Sequence, residues 1–286
     1  MDAGRTIESV RAAFFDLDKT VIAKASIAAF GGPFRRGGLI NRRVVVRAVV
    51  GQMIYLQFGA GERRLARIRE SMLTLTKGWP RDRVREIVRE TLLETVEPLI
   101  YNEALELMEE HRRAGDRIYL VSTSPEEIVL PLAELLGADG AISSVAEVDE
   151  DGKYTGRLAF YAYGPSKADA MRDLAADSGI DLERSAAYTD SATDLPMLEA
   201  VGHPVVVNAD RPLARLAKER GWEMRRFTKP VRLRDRVTVR TPIVTTTLAL
   251  AAGAAVLLWR THRVRDAARA ATGGPRLTRF PARTPA

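Results

Sequence analysis

Short apolar segments alternate with longer helix-like ones over much of this chain. Four mostly apolar runs are too short for helices and are typical of strands buried on both faces of a sheet. These runs are Ala12–Phe15, Arg117–Val121, Ala186–Tyr188 and Val205–Val207. Segments typical of helices lie among them, including 102–113 and 211–220, while 141–163 has the character of short strands around a turn. Strands that alternate with helices predict an α/β fold with a parallel, Rossmann-like sheet.

Residues 23–99 interrupt this alternation with a series of predicted helices. The mostly apolar run 39–58 is short for a membrane span, so we expect a buried helix there, with a membrane-touching helix as the alternative. Two more helices are predicted over 62–75 and 80–97. Apolar spacing of three and four residues supports the second of them, at Val84, Ile87, Val88, Thr91 and Leu92. We therefore predict an all-helical insertion between the first strand and the rest of the sheet.

The charge of the chain is divided unevenly. The net charge is +7, yet residues 229–286 hold 12 Lys and Arg against 2 Asp and Glu, and residues 1–228 hold 32 against 35. Within that larger part, 23–99 is basic, while 1–22 and 100–228 together are acidic. A nucleic-acid-binding domain would present a basic face, so we expect no nucleic-acid partner. The absence of cysteine excludes disulfides and thiolate metal sites.

The basic C-terminal segment contains one long uncharged stretch. Residues 243–259 carry no charged side chain over 17 positions and end at Trp259, a residue suited to a membrane interface. This length is at the short end for a spanning helix, and we predict one C-terminal transmembrane helix here. Because the N-terminus has no signal-like apolar region, the acidic part is expected on the cytoplasmic side of the cell membrane. The alternative is a buried or surface-lying helix in a soluble cytoplasmic protein.

Pairs of aspartates follow two of the predicted strands. Asp16 and Asp18 come directly after the first apolar run, and Asp190 and Asp194 come after the third. Open α/β sheets build their sites at the carboxyl edge, where these side chains would lie. Carboxylates confined to a small volume repel one another unless a cation holds them, and Mg²⁺ prefers oxygen ligands. The pattern therefore predicts a magnesium site.

Two further stretches have features of anion sites. Ser122 follows the second strand, and Ser124 to Glu127 fits a capping box with Pro125 at the first helical position. Hydroxyl groups and free backbone N–H groups at a helix start favour anions. Lys167 opens another predicted helix, where the helix dipole disfavours a cation unless an anion lies nearby.

Taken together and in order, these stretches resemble the four motifs of the haloacid dehalogenase (HAD) superfamily. The matching groups are Asp16-x-Asp18-x-Thr20, Ser122, Lys167 and Asp190-x-x-x-Asp194. The position of the helical insertion is similar to that of the cap in the phosphoserine-phosphatase-like branch, subfamily IB. The resemblance covers about residues 10–227. It implies a catalytic core over 1–22 and 100–228, a helical cap over 23–99, and a separate tail over 229–286.

The resemblance also implies a role for each motif residue. Asp16 would be the nucleophile that forms an aspartyl-phosphate, and Asp18 would be the general acid and base. Mg²⁺ would be held by Asp16, the main chain of Asp18, Asp190 and Asp194. The residues expected to bind the substrate phosphate are Ser122, Lys167 and Thr193.

One departure from the branch leaves the substrate open. Phosphoserine phosphatases that resemble this chain usually follow the motif-two serine with two glycines, whereas here Thr123, Ser124 and Pro125 follow Ser122. We expect a Mg²⁺-dependent phosphomonoester hydrolase acting on a small phosphorylated metabolite or a lysophospholipid-type phosphate. The alternatives are a phosphotransferase that uses the same aspartyl-phosphate and a catalytically silent membrane-associated binding protein.

Overall fold

The strands form one sheet in the computed structural model, which describes residues 10–40 and 62–228. Its order is β4-β3-β2-β1-β5-β6-β7, with every neighbouring pair parallel except the antiparallel β3 and β4. The strands are β1 (Ala12–Asp16), β2 (Arg117–Pro125), β3 (Gly140–Val148), β4 (Tyr154–Phe160), β5 (Ala186–Thr189), β6 (His203–Val207) and β7 (Glu223–Arg225). The α/β fold with a mostly parallel sheet is therefore confirmed.

The helices fill the connections between these strands. They are α1 (Ser26–Ala29), α2 (Gly31–Arg36), α3 (Glu62–Thr76), α4 (Arg81–Val96), α5 (Asn102–Arg113), α6 (Glu126–Leu135), α7 (Pro165–Ser178), α8 (Leu195–Glu199) and α9 (Arg211–Arg220). Short 3₁₀ turns add Glu97–Leu99, Leu182–Arg184 and Ala192–Asp194. The predicted helices at 62–75, 80–97, 102–113 and 211–220 agree with α3, α4, α5 and α9.

The first strand lies in the middle of the sheet and is buried along its whole length. Successive side chains of a strand point to opposite faces, so β1 contributes to two separate cores. Phe15 stacks on Tyr188 with ring centres 4.4 Å apart, whereas Phe14 stacks on Tyr119 at 5.6 Å on the other face. This burial on both faces explains why the strand is apolar without alternation.

The elements described between β1 and α5 are helices and one 3₁₀ turn. On α4, the buried side chains are Val84, Ile87, Val88, Leu92 and Val96. They join the same core as Phe15, together with apolar residues of α5 and α6. Pro80 is the residue just before α4, so this helix begins one residue later than the predicted 80–97.

The hairpin of β3 and β4 is bonded to this helical segment through main-chain groups. The N–H of Gly78 donates to the carbonyl of Tyr154 at 2.8 Å, and the N–H of Tyr154 donates to Trp79 at 3.1 Å. The N–H of Arg81 donates to Gly152 at 2.9 Å. These bonds join the α3–α4 connection to the hairpin like an added strand.

The structure differs from expectation at the end of the second strand. β2 runs on to Pro125, so Ser122 lies within the strand, and its pairing with β3 shifts between Val121 and Pro125. Pro125 is the N-cap of α6, which has no side-chain cap, so the predicted capping box of Ser124 is wrong. The reason is that the Ser124 hydroxyl bonds to residues of other elements.

Two predictions concern residues outside the described ranges. They are the buried helix predicted over 39–58, most of which is not described, and the transmembrane helix predicted over 243–259, none of which is described. Among the helices over 10–40 and 62–228, none combines the length and apolar character that a membrane crossing requires.

Candidate active site

Parallel pairing brings the strand-end residues to one edge of the sheet. Asp16 is the last residue of β1 and pairs with Val121, so Ser122 follows at the same edge on β2. On the other side, Phe15 pairs with Tyr188, and Asp190 therefore follows β5 at the same edge as Asp16. This is the carboxyl edge at which open α/β sheets build their sites.

Lys167 links two of the motif aspartates. It is the third residue of α7 and is 2% exposed, and its Nζ donates to Asp16 Oδ1 at 2.7 Å and to Asp194 Oδ2 at 2.8 Å. The hydroxyl of Thr189 also donates to Asp194 Oδ2, at 2.9 Å. Burial alone would lower the pKa of Lys167, but the two carboxylates outweigh it and raise that pKa above its ordinary value. The lysine is therefore a fixed positive charge at the centre of the site.

Asp16 is held in a strongly desolvated position. Burial raises its pKa well above the ordinary value, against the opposing attraction of Lys167, and the charge of Asp194 raises it further. The ionised form of Asp16 thus depends on nearby positive charge. A cation bound at this carboxylate would favour the nucleophilic, ionised state.

Asp18 points toward two serines. Its Oδ1 accepts from the N–H of Ser26 at 2.7 Å, and the Ser124 hydroxyl donates to its Oδ2 at 3.3 Å. Burial raises the pKa of Asp18, while the hydrogen bonds from Ser26 and Ser124 partly oppose that effect. A carboxyl with a raised pKa retains a proton more readily at neutral pH, as a general acid must.

Asp190 lies beside a lysine with unusual backbone geometry. Burial raises the pKa of Asp190 to about 6, although Lys19 opposes the shift and Asp194 and Asp210 add to it. Lys19 Nζ is 3.9 Å from Asp190 Oδ2, and Lys19 has a φ of +66°. A positive φ is uncommon for a residue with a side chain. Lys19 lies in the loop that follows Asp18 and leads to the helical segment.

The oxygen donors at this edge are of the chemical type that Mg²⁺ prefers. Asp16, Asp190 and Asp194 supply carboxyl groups there and Asp18 a main-chain carbonyl, and the ion pairs that the structure describes for these three carboxyl groups involve only Lys167 and the exposed Lys19. Their carboxylate and main-chain oxygens are the ligands that Mg²⁺ prefers, and an excess of negative charge favours a divalent cation. Over the described residues, no three Asp, Glu or His side chains converge as a complete metal-binding cluster. A Mg²⁺ ion held here would keep several water ligands, as this ion commonly does.

The two other predicted phosphate-binding residues occupy different environments. Ser122 is buried, and its Oγ accepts from the N–H of Ser124 at 3.1 Å. Thr193 is exposed, and its hydroxyl lies 3.0 Å from that of Ser191. The structure thus brings Asp16, Lys167 and Asp194 into direct contact but leaves the Thr193 side chain at the surface.

Sequence reasoning missed three residues that hydrogen-bond to the side chains of the motif aspartates. Thr189 bonds to Asp194, and Ser26 and Ser124 bond to Asp18. Ser124 could have been found from the sequence, because it stands in the second motif where the branch usually has a glycine. Ser26 carries no such signal, because nothing in its local sequence indicates that α1 begins against Asp18.

A mostly parallel sheet with buried aspartates and a lysine at its carboxyl edge is typical of the sites of α/β enzymes. The family model described as haloacid dehalogenase-like hydrolase matches residues 13–199, which is more than half of the chain. The chain therefore belongs to the haloacid dehalogenase-like hydrolase family.

Three relatives extend this assignment. The "Inhibition of morphological differentiation protein" of Streptomyces azureus is 48% identical over 260 residues, covering 89% of this chain and 94% of the relative. A protein named "Probable phosphatase" from Mycobacterium tuberculosis is 49% identical over 249 residues, covering 85% and 86%. A phosphoserine phosphatase of the same bacterium is 34% identical over 223 residues, covering 77% and 72%. The predicted phosphoserine-phosphatase-like branch and phosphatase class are confirmed.

Proposed function

We propose that this chain is a Mg²⁺-dependent phosphomonoester hydrolase that acts through an aspartyl-phosphate on Asp16. The observation that supports this most directly is the buried Lys167 ammonium, which bonds Asp16 and Asp194 at 2.7 and 2.8 Å. A fixed cation beside a carboxylate nucleophile stabilises the charge that gathers on the phosphoryl oxygens during transfer. The magnesium requirement is general to the family and is proposed here for Asp16, the Asp18 carbonyl, Asp190 and Asp194.

In the first half of the reaction, Asp16 attacks phosphorus and the bond to the leaving oxygen breaks. Asp18 gives its proton to that oxygen, so the alcohol leaves in the neutral form. Lys167 and Ser122 bind the phosphoryl oxygens, and Thr193 contributes if its exposed side chain turns toward the substrate. Bound Mg²⁺ would supply further positive charge to the same oxygens.

In the second half, Asp18 takes a proton from water, and the water oxygen attacks the phosphorus of the aspartyl-phosphate. Inorganic phosphate leaves, and both aspartates return to their starting states. One carboxyl with a raised pKa serves both steps because it is protonated when the alcohol leaves and ionised when water attacks.

The substrate class stays a proposal at the level of a small or lipid-type phosphomonoester. The relative named a phosphoserine phosphatase supports a small phosphorylated metabolite. This chain has Ser124 in the second motif where phosphoserine phosphatases usually have a glycine. A lysophospholipid-type phosphate is therefore kept as a second candidate substrate. Membrane anchoring through 243–259 on the cytoplasmic side also stays a prediction, as does the division into a core over 1–22 and 100–228, a cap over 23–99 and a tail over 229–286.

The test is phosphate release by the full-length chain from a panel that includes phosphoserine, glycerol phosphate, lysophosphatidate and 4-nitrophenyl phosphate. We expect Mg²⁺-dependent turnover and a covalent phosphoenzyme on Asp16 detected by mass spectrometry. Transfer of phosphate to added alcohols, at the expense of water, would favour the phosphotransferase. No turnover and no phosphoenzyme with any substrate would favour the binding protein.

A further inference from the structure

The Ser124 hydroxyl is directed away from the helix that it was expected to cap. Ser124 is 6% exposed, and its Oγ lies 2.6 Å from the Oγ of Ser26, which is fully buried. The same hydroxyl donates to Asp18 Oδ2 at 3.3 Å. A buried hydroxyl needs a hydrogen-bond partner, and here that partner is the proposed general acid rather than a helix terminus.

The two oxygens of Asp18 are held from two distant parts of the chain. The main-chain N–H of Ser26, at the start of α1, donates to Oδ1 at 2.7 Å. Ser124, at the end of β2, donates to Oδ2. Each serine hydroxyl has one proton, so when Ser124 donates to Asp18 the bond between the two serines is donated by Ser26. The result is a directed chain from Ser26 through Ser124 to Asp18.

This arrangement distinguishes the two carboxyl oxygens. An amide N–H is only a donor, so Oδ1 stays an acceptor and the transferable proton belongs on Oδ2. Rotation of the carboxyl group would break both bonds, and the group is therefore held in one orientation. The contact from Ser124 is long, but catalytic hydrogen bonds often tighten only when the substrate is bound.

We propose that Ser124, supported by Ser26, is a positioning residue that aims the Oδ2 proton of Asp18 at the leaving-group oxygen. When the bond between phosphorus and that oxygen breaks, its electron pair stays on the oxygen, which takes the proton from Oδ2. Ser124 then donates to the new carboxylate, and in hydrolysis Oδ2 recovers a proton from the attacking water. The inference rests on the function proposed above for Asp18.

The leaving group provides a readout that a merely structural role would not change. An alkyl alcohol leaves poorly unless it is protonated, whereas 4-nitrophenolate leaves without a proton. For Ser124→Ala in the full-length chain, we expect kcat/KM to fall about 10-fold or more with glycerol phosphate and less than about 2-fold with 4-nitrophenyl phosphate. Restoring a hydroxyl with Ser124→Thr should recover part of the loss for the alkyl ester only.

A matched control is available one strand away. Ser144 on β3 is also buried, and its hydroxyl donates to the Thr123 carbonyl at 2.7 Å. Ser144→Ala removes a buried hydroxyl next to the second motif, so any change should be equal for the two substrates. A selective loss with Ser124→Ala and an unselective one with Ser144→Ala would support the positioning role.

The hydrogen-bonded chain predicts coupling between the two serines. Ser26→Ala should lower kcat/KM selectively for the alkyl ester by a smaller factor, and the double variant should lose less than the product of the single losses. Equal losses for both substrates in Ser124→Ala would overturn the proposal. If circular dichroism shows that Ser124→Ala does not fold, the same comparison is made with Ser26→Ala. A loss of kcat/KM that is larger for glycerol phosphate than for 4-nitrophenyl phosphate supports the proposal, and equal losses overturn it. Wild-type protein that hydrolyses neither ester, nor any other phosphomonoester of the panel, would instead overturn the proposed function, and the positioning role with it.

Discussion

Lys167 Nζ donates to Asp16 Oδ1 at 2.7 Å, across 151 positions of sequence. The same ammonium is 2.8 Å from Asp194 Oδ2, so the start of α7, the end of β1 and the 3₁₀ turn Ala192–Asp194 meet at one buried charge. An isolated buried ammonium would be costly, and its pairing with two carboxylates makes the burial possible. Function and stability are therefore coupled at this lysine.

Replacing Lys167 by methionine should destabilise the protein strongly at neutral pH. The change leaves Asp16 and Asp194 buried without their cation, which costs about 3–5 kcal/mol in comparable cases. Burial already raises the pKa of Asp16 well above its ordinary value in the wild-type chain, and the loss of Lys167 removes the positive charge that opposes this shift. The stability associated with its proton is therefore present at low pH and is lost as pH rises.

Urea unfolding of Lys167→Met from pH 5 to pH 8 measures this effect. The difference from wild type should be smaller at pH 5 than at pH 8. Lys218→Met, at an exposed position of α9, is the control and should change the free energy of unfolding by less than about 0.5 kcal/mol. A Lys167→Met penalty that is small, or that does not vary with pH, would contradict the prediction.

The two motif-one aspartates should fail in different ways. Asp16→Asn should abolish turnover and the covalent phosphoenzyme, because a carboxamide does not act as the nucleophile. Asp18→Asn should slow turnover by about 100-fold or more through failed proton transfer, while Asp16 can still be phosphorylated. Mass spectrometry after rapid acid quench separates these cases. A phosphoenzyme in Asp16→Asn at wild-type yield would disprove the assignment of the nucleophile.

Magnesium binding should depend on pH through Asp190. Because its pKa is raised to about 6, this carboxyl holds a proton below that pH and cannot ligate the ion. In metal-free protein the raised pKa contributes stability at low pH that is lost as pH rises through about 6. Added Mg²⁺ should then replace the lost contribution.

Thermal unfolding with and without MgCl2 checks this prediction. The increase in Tm on adding Mg²⁺ should be larger at pH 7.5 than at pH 5. Asp190→Ala should reduce the increase and raise the Mg²⁺ concentration that activity requires, whereas Asp173→Ala, on the exposed face of α7, should not. Full activity in excess EDTA after metal removal would argue against the magnesium site.

Any side chain at Gly202 should reduce the stability of the protein. A Cβ atom at this position would lie 1.8 Å from the Glu183 carbonyl oxygen, so the backbone before β5 would have to move. We expect Gly202→Ala to lower the free energy of unfolding by about 1–3 kcal/mol. Gly31→Ala is the control, since a Cβ there would meet nothing within 4 Å. Equal denaturation midpoints for the two variants would show that the backbone near Glu183 moves without loss of stability and would contradict the prediction.

The tail prediction can be examined by fractionation. Full-length protein should remain with membranes after high-salt and carbonate washes, because 243–259 is uncharged and long enough to span at the short limit. A chain that ends after Thr228 should remain in the soluble fraction and be active. Release of the full-length protein by salt alone would point to electrostatic surface binding by the basic flanks and against a span.

The sequence by itself determined the secondary structure of the core and the order of its motifs. Apolar runs such as Ala12–Phe15 were recognisable because a central strand buries both faces, and 211–220 matches α9 to the residue. The strand-end aspartates were likewise visible, because a carboxylate at the end of an apolar run is a local pattern. These features depend on neighbours in the sequence, which the sequence displays directly.

Tertiary structure decided which distant groups meet. Nothing local to Ser124 distinguishes a helix cap from a partner of Asp18, and only the pairing of β1 with β2 brings the two residues together. The bonds between Tyr154 and the α3–α4 connection likewise depend on how the hairpin packs against the helices. A side chain takes the hydrogen-bond partner that the register of the sheet brings within about 3 Å, and that register is a property of the whole fold.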